Sequence, residues 1–315
     1  MSVAFVFPGQ GSQAVGMGKA LAEAFAPARA VFAEVDDALG EKLSALMFEG
    51  PEADLTLTAN AQPALMAVSL AVTRVLEAEA GLDLAKAAKF VAGHSLGEYS
   101  ALAAAGSFTI SDTARLLRLR GQSMQKAVPV GQGAMAALLG LDYDTGVAVA
   151  KQAAEEVGGI CQIANDNGGG QVVASGSKAT VERAMEIAKT KGAKRAMLLP
   201  VSAPFHCALM QPAADAMAEA LAKVDIKAPK VPLVANVVAG PVSDPAQIRK
   251  LLVEQVTGTV RWRESIAWMA GQGVTQFIEL GAGKVLAGLV KRIAEGATGS
   301  SVGTPADVEA FKARG

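Results

Sequence analysis

Cysteine and histidine are both scarce in this sequence of 315 residues. Its two cysteines, Cys161 and Cys207, cannot build a disulfide framework, and so low a count is typical of proteins from the reducing cytoplasm. We therefore expect a cytoplasmic protein. Its two histidines, His94 and His206, are the only residues of the type that most often moves protons in catalysis.

Charged residues are also few, and the two signs nearly cancel. They make up 19% of the chain, with a formal net charge of −1. This balance argues against a broad basic face, and we expect no nucleic-acid partner.

The first residues, MSVAFVFPGQGSQ, lack the basic and long apolar regions of a signal peptide. Every apolar stretch long enough to span a membrane contains charges, so we expect no membrane association.

Short apolar strands alternate with helices along the sequence, and 51% of its residues are hydrophobic. We predict a compact α/β fold whose large domain has a mainly parallel sheet, covered on both faces. This domain is expected to be discontinuous, over residues 1–127 and 200–295. Between its halves, residues 128–199 predict the βαββαβ order of a ferredoxin-like small domain of the α+β type. The Gly- and Ser-rich stretch that follows predicts a mobile C-terminal tail over residues 296–315.

Residues 93–97 read GHSLG and fit the pattern G-x-S-x-G between a predicted strand, 89–92, and a predicted helix, 96–105. A serine on such a sharp strand-to-helix turn exposes its hydroxyl at the carboxyl end of the sheet. The helix N-terminus and the Leu96 amide can stabilise an oxyanion at the same place. We predict that Ser95 is a nucleophile; the alternative is a tight turn with an incidental serine.

A serine hydroxyl needs a base to attack well, and only two histidines are available. The side chain of His94, next to the serine, should point away from the hydroxyl and shape the turn. His206 follows a predicted strand in a Pro-broken loop, a usual place for a functional side chain. No Asp or Glu between Ser95 and His206 stands out as the histidine's partner. The sequence therefore predicts a serine–histidine dyad, with the histidine oriented by a backbone carbonyl or an amide side chain.

Two further segments are candidates for binding. The glycine-rich loop 7–13 follows the first strand, and Gln10 within it could donate to an oxyanion; a plain turn is the alternative. Arg120 lies among apolar residues beside a glycine, and a buried arginine needs a carboxylate or phosphate partner. If Arg120 lies in the pocket, the acyl substrate carries a free carboxylate. The pattern alone favours a solvated surface arginine.

Eight segments, in this order, resemble the malonyl-CoA:acyl-carrier-protein transacylase family, the acyltransferases of fatty acid and polyketide synthesis. They read FVFPGQGSQ (5–13), QPAL (62–65), GHSLGEYSALAAAG (93–106), RG (120–121), GAMAAL (133–138), SAPFHCALM (202–210), VRW (260–262) and IELGAGKVL (278–286). The resemblance implies a hydrolase-like α/β domain with a ferredoxin-like insertion, which agrees with the predicted organisation.

The resemblance also implies a role for each matching residue of the reaction centre. Ser95 would carry the malonyl ester, and His206 would act first as its base and then as acid and base for the transfer. Gln10 and the Leu96 amide would form the oxyanion hole. The main-chain carbonyl of Gln255 would orient the histidine, which fills the place of the missing acid.

A second group of matching residues would form the substrate pocket. Arg120 would bind the malonyl carboxylate, and Gln62 and His94 would line the site. The residue before the histidine is often Ser in the family and is Phe205 here. In related polyketide acyltransferases a bulky Phe at this position goes with malonyl over methylmalonyl, since a ring beside the α-carbon leaves less room for a branch. Pro204 departs from the usual polyketide residue.

The resemblance implies an [acyl-carrier-protein] S-malonyltransferase, which moves malonyl from malonyl-CoA to the phosphopantetheine thiol of acyl carrier protein through a malonyl-serine ester. It implies no metal or redox cofactor, and we expect a monomer in fatty acid synthesis. The alternatives are a serine hydrolase or thioesterase, which would not need Arg120, and a non-catalytic acyl-CoA-binding protein. The acidic carrier would dock on a basic patch, for which the candidates are Lys126, Lys194, Arg195 and Lys284.

Overall fold

Two β-sheets organise the chain, which the computed structural model describes over residues 2–313. The strands are β1 (Val3–Phe7), β2 (Ala88–Gly93), β3 (Gly133–Leu139), β4 (Cys161–Gly168), β5 (Gln171–Ser177), β6 (Arg195–Leu198), β7 (Leu233–Ala235), β8 (Gly240–Val242), β9 (Gln276–Leu280) and β10 (Thr298–Val302). The helices are α1 (Lys19–Ala24), α2 (Ala26–Leu39), α3 (Leu43–Glu49), α4 (Glu52–Thr56), α5 (Thr58–Glu79), α6 (Leu84–Ala87), α7 (Gly97–Ala104), α8 (Ile110–Ala127), α9 (Tyr143–Val157), α10 (Lys178–Thr190), α11 (Gln211–Leu221), α12 (Pro245–Thr257), α13 (Trp262–Gly271), α14 (Val285–Ile293) and α15 (Pro305–Lys312).

The larger sheet has six strands in the order β10-β9-β1-β2-β7-β8. The strands from β10 to β7 are parallel, and β8 is antiparallel to β7, which confirms the predicted mainly parallel sheet. β1 shows why the sheet is covered on both faces. Phe5 and Phe7 pack into one apolar cluster, while Ala4 and Val6 pack into another on the opposite face. Alternate residues of a strand face opposite sides, so a strand buried on both sides must be apolar throughout.

The smaller sheet has the order β4-β5-β3-β6, and its neighbouring strands are antiparallel. With α9 and α10 it forms the predicted βαββαβ unit around an apolar cluster of its own. The bounds 128–199 proposed for the small domain remain a prediction. The segment between α12 and α13 contacts the smaller sheet, because the backbone of Val260 bonds to both Ala164 and Asp166 at β4. This contact holds the smaller sheet against the large domain.

Helix α5 runs through the centre of the larger apolar cluster. The sequence predicts this helix over 60–80 with Pro63 in its first turn, whereas the structure starts it at Thr58, so Pro63 lies further inside. A proline has no N–H to donate, which leaves the carbonyl of Ala59 without its helical partner. Arg118 on α8 donates to that carbonyl at 2.6 Å. The proline therefore helps tie α5 to α8.

Two helix starts differ from the sequence prediction. The helix predicted over 17–39 is divided into α1 and α2, because Phe25 between them is extended and Pro27 begins a new first turn. The expected cap of α8 at Ser111–Asp112 is also wrong. The N-cap is Thr109, whose hydroxyl accepts from the backbone N–H of Asp112.

In the part of the chain that the structure describes, no helix has the length and hydropathy to span a membrane.

The C-terminal segment differs most from its prediction as a mobile tail. β10 pairs in parallel with β9 and forms the edge of the large sheet. Thr304 and Asp307 then form a capping box at the start of α15. Val302 and Val308 are buried against the large domain. The prediction missed the strand because its sequence, TGSSV, has a single large apolar residue.

Shortening Val308 to alanine tests whether this segment is packed. Val308 is 0% exposed, so Val308→Ala should lower the free energy of unfolding by about 2 kcal/mol. Val130→Ala is the control, because Val130 is 83% exposed and its loss should change stability by less than about 0.5 kcal/mol. Urea denaturation of both variants gives the two values. Equal effects would show that the segment is a tail after all.

Candidate active site

A tight turn joins β2 to α7 and carries Ser95 at its apex. Ser95 has φ 53°, a left-handed conformation that non-glycine residues rarely adopt. The chain can turn here only because glycines lie two positions before and two positions after Ser95. A Cβ on Gly93 would lie 1.9 Å from the carbonyl carbon of Gly97, and one on Gly97 would lie 2.2 Å from the carbonyl oxygen of Phe7. The turn has the strand–serine–helix geometry of a nucleophile elbow.

His206 contacts the serine directly. Ser95 Oγ and His206 Nε2 are 2.7 Å apart. His206 Nδ1 lies 2.9 Å from the carbonyl oxygen of Gln255 and 3.1 Å from that of Gly258. Carbonyl oxygens only accept, so Nδ1 carries the hydrogen and Nε2 is left to accept from the serine hydroxyl. The predicted backbone carbonyl thus contacts the ring, together with a second one at Gly258 that the sequence did not indicate.

The surroundings keep His206 neutral. Its side chain is buried, and burial together with the nearby positive charge of Arg120 lowers the pKa of His206 to about 3. A neutral imidazole with its hydrogen on Nδ1 can take a proton on Nε2. The site therefore presents a base in the correct tautomer, without a carboxylate against the ring.

Arg120 is buried at 1% exposure, against the surface position that its sequence pattern favours. Its Nη1 donates to Gln62 Oε1 at 2.7 Å, and its Nη2 donates to Ser95 Oγ at 3.1 Å and to Gln255 Oε1 at 2.9 Å. Its Nε has no hydrogen-bond partner. Within residues 2–313, the guanidinium has no carboxylate ion-pair partner. A buried cation that no carboxylate contacts directly is costly, and an anionic ligand against it would relieve that cost.

The two residues predicted to form an oxyanion hole, Gln10 and Leu96, each have a backbone N–H that is free to donate within the described chain. Across the residues that the structure describes, the backbone N–H groups of Gln10 and Leu96 bond to no protein acceptor. Both residues line the cavity that contains Ser95. Unpaired backbone N–H groups beside a nucleophile are the arrangement that stabilises a tetrahedral oxyanion.

A cavity of about 820 Å³ opens onto the dyad. It is lined by eight of the residues proposed from the sequence: Gln10, Gln62, His94, Ser95, Leu96, Arg120, Phe205 and His206. Gln255 lies behind the wall instead, fully buried, and contacts His206 and Arg120 from that side. The four basic residues proposed for carrier docking are exposed, but none of them lines this cavity.

His94 lies on the cavity wall and bonds away from the serine. Its Nε2 is 2.9 Å from Oδ1 of Asn167 on β4. Its ring lies 5.7 Å, centroid to centroid, from that of Trp262. Burial lowers the pKa of His94, so this ring is neutral too. His94 therefore connects the turn to the small domain.

Two polar residues that the sequence analysis missed hold the turn from behind. Asn236, just after β7, accepts from the backbone N–H of Ser95 at 2.9 Å and donates to the carbonyl of Gly93 at 2.7 Å. Glu98 accepts from the backbone N–H of Asn236 and from the side-chain amide of Gln255, both at 3.0 Å. Burial raises the pKa of Glu98 to about 7. The sequence did contain a signal for Asn236, because it is the one polar side chain in the apolar run 231–238.

An added methyl group at Gly97 tests the close approach at the turn. Gly97→Ala places a Cβ 2.2 Å from the carbonyl of Phe7, so the turn must open, and we expect a loss of more than about 3 kcal/mol of stability or no folded protein. Gly288→Ala is the matched control, because a Cβ there meets nothing within 4 Å and alanine favours the helix by about 1 kcal/mol. Thermal unfolding of both variants distinguishes them. A Gly97→Ala protein as stable as the wild type would refute the tight turn.

Comparison with known proteins agrees with the resemblance drawn from the eight sequence segments. The chain matches the acyl transferase domain family over residues 4–306. It is 48% identical to the malonyl CoA-acyl carrier protein transacylase of Bacillus subtilis over 307 residues, which cover 98% of this chain and 95% of that protein.

Solved structures agree over the full length. An acyl-carrier-protein-S-malonyltransferase from Bartonella henselae matches with a TM-score of 0.96 and 62% identity, covering 99% of this chain and 98% of that chain. A malonyl-transacylase in complex with a type II PKS acyl-carrier protein matches with a TM-score of 0.95 and 44% identity, covering 100% of both chains. The chain therefore belongs to the acyl transferase domain family, and within it to the malonyl CoA-acyl carrier protein transacylases.

Proposed function

We propose that this chain transfers the malonyl group from malonyl-CoA to the phosphopantetheine thiol of acyl carrier protein, for fatty acid synthesis. The observation that carries the proposal is the buried Arg120 guanidinium, which lacks a carboxylate partner among the described residues and lies 3.1 Å from Ser95 Oγ. A malonyl group bears a free carboxylate two bonds from its reacting carbonyl carbon. It can therefore pair with Arg120 while that carbonyl lies at Ser95.

The relatives support the same substrates. Proteins named for malonyl transfer to an acyl carrier protein match the chain over nearly its whole length, and one of them was solved with such a carrier. The cavity of about 820 Å³ has room for the end of a thioester arm. We propose that both CoA and the carrier present their thioesters here in turn.

In the first half-reaction, Ser95 Oγ attacks the thioester carbonyl carbon while His206 Nε2 takes the hydroxyl proton. The backbone N–H groups of Gln10 and Leu96 stabilise the tetrahedral oxyanion, where losing one donor typically costs about 100- to 1000-fold in rate. The bond from carbon to sulfur then breaks. His206 gives its proton to the departing CoA thiolate, which leaves malonyl esterified to Ser95.

In the second half-reaction, the carrier's phosphopantetheine thiol gives its proton to His206 and attacks the ester carbonyl. The same N–H groups stabilise the second oxyanion. The bond between the carbonyl carbon and Ser95 Oγ breaks, and His206 returns the proton to that oxygen. Each step uses protein groups alone, so the proposed mechanism calls for no metal or redox cofactor.

Selectivity in this proposal comes from two side chains. Arg120 favours malonyl over acetyl, because acetyl leaves the buried guanidinium unpaired, at a cost of about 1–3 kcal/mol. Phe205, buried against the cavity beside His206, would leave little room for a branch on the α-carbon.

We place the reaction in the cytoplasm, since both cysteines are free thiols. The carrier is proposed to dock on the exposed residues Lys126, Lys194, Arg195 and Lys284.

Intact mass after brief incubation with malonyl-CoA tests the covalent step. We expect a malonyl adduct on the wild-type protein and none on Ser95→Ala. Arg120→Ala should load malonyl about 10- to 100-fold more slowly and lose its preference over acetyl. Release of CoA without an adduct would instead indicate a hydrolase with a short-lived ester. Neither adduct nor CoA release would indicate a non-catalytic protein.

The rate of malonyl loading between about pH 5 and 7 tests the state of His206. The neutral ring is the base, and its pKa lies at about 3, so the rate should hold nearly constant over this range and fall only as the pH approaches that value. For an unperturbed histidine, the neutral fraction, and with it the rate, would fall about fivefold between pH 6.5 and 5.5. Glu98, with a pKa of about 7, also titrates here, so Glu98→Gln is the control profile. An inflection near pH 6.5 in both proteins would contradict a neutral buried base.

A further inference from the structure

Three hydrogen bonds join Arg120 to the loop that carries Gln10. Arg120 Nη1 donates to Gln62 Oε1 at 2.7 Å. Gln62 Nε2 donates to Thr58 Oγ1 at 2.9 Å, and Thr58 Oγ1 donates to Gln10 Oε1 at 2.8 Å. Thr58 and Gln62 are fully buried, while Gln10 is half-buried and lines the cavity. Thr58 has no role in the sequence prediction, and among the described residues its hydroxyl bonds to neither Ser95 nor His206.

The direction of this chain of bonds is fixed at one end. A guanidinium has donors only, so the carbonyl oxygen of Gln62 must face Arg120 and its NH₂ group must face Thr58. The Thr58 oxygen then accepts, and its single hydrogen goes to Gln10 Oε1. The NH₂ group of Gln10 consequently lies on the opposite side of its carboxamide, where no described residue accepts from it. Reversing Gln62 would set two donors facing each other, and reversing Gln10 would take from the Thr58 hydrogen its acceptor among the described residues.

Close packing holds the backbone at Thr58 in place. A Cβ on Gly121 of α8 would lie 2.6 Å from both the Cα of Ala59 and the carbonyl oxygen of Thr58. On the same side, Arg118 donates to the carbonyl that Pro63 leaves free. The first turn of α5 is therefore held against α8, the helix that carries Arg120. The relative positions of Arg120 and Thr58 are therefore set by the packing of α8 against α5.

We propose that Thr58 is a positioning residue for acyl transfer: its hydroxyl transmits the direction imposed by Arg120 and so aims the side-chain amide of Gln10 into the cavity. The amide then offers the acyl group a donor in addition to the backbone N–H of the same residue. Because the chain of bonds begins at a cation, each bond polarises the next and strengthens it. This inference rests on the proposed function, since it concerns how the same site receives its substrate.

Single-turnover loading with malonyl-CoA measures the effect of removing the hydroxyl. Thr58→Val keeps the shape of the side chain but removes the acceptor for Gln62 Nε2 and the donor to Gln10 Oε1, so we expect the maximal loading rate to fall about tenfold. The apparent KM should change less than twofold, because the buried Thr58 does not line the cavity. Thr58→Ser restores the hydroxyl and should load nearly as fast as the wild type.

Thr73→Val is the matched control on the same helix. Thr73 is buried, and its hydroxyl makes one bond, to the carbonyl of Ser69 at 2.8 Å, far along the helix from the cavity. Thr73→Val removes a buried hydroxyl from the same helix and should have no effect on loading. If the Thr73 variant slows loading equally, or if serine at position 58 fails to restore the rate, Thr58 acts through stability or packing and the proposal is wrong.

A double-mutant cycle tests the link to Gln10. Gln10→Met keeps the backbone N–H but removes the carboxamide, and it should slow loading by about the same factor as Thr58→Val. Combining the two changes should add less than about twofold, because both remove one donor from the cavity. Multiplied effects, or full activity of Gln10→Met, would overturn the inference. A wild-type protein that forms no malonyl ester would refute the proposed function itself, which is a separate outcome.

Discussion

A single buried cation determines much of the arrangement around it. The Arg120 guanidinium is removed from water and has no carboxylate against it within the described chain, so nearby oxygens must satisfy its hydrogens. One such oxygen comes from each of Gln62, Gln255 and Ser95. These contacts fix the orientation of two amide side chains. The positive charge also adds to burial in keeping His206 neutral. The residue proposed to bind the malonyl carboxylate therefore also lowers the pKa of the proposed base.

Gln255 contacts several parts of the site at once. Its backbone carbonyl accepts from His206, while its side-chain oxygen accepts from Arg120. Its side-chain nitrogen donates to the carbonyl of Ser95 and to Glu98. The residue therefore contacts the nucleophile's backbone, the base and the cation at once, although it lies outside the cavity. A change in its position would alter all three together.

The sequence predicted those features that depend on residue type or local pattern. The two glycines around Ser95 indicated a sharp turn, and a count of two histidines left His206 as the base. Asn236 was missed because it contacts Ser95 from 141 residues away, through the adjacency of β7 and β2 in the sheet. Thr58 was missed because the predicted helix began two residues later. The C-terminal strand was missed because pairing with β9, and not its own composition, makes it a strand.

The group that orients His206 is part of the backbone, at Gln255 and Gly258. A peptide carbonyl neither ionises at biological pH nor disappears when a side chain is exchanged. Where an aspartate holds the histidine, one mutation can erase the orienting group, and acid can neutralise it. Here a substitution at either position keeps the carbonyl in the chain, so it can disturb His206 only by moving the main chain. Gly258 is the sensitive position of the two, because a Cβ there would lie 2.8 Å from Val237 Cγ1.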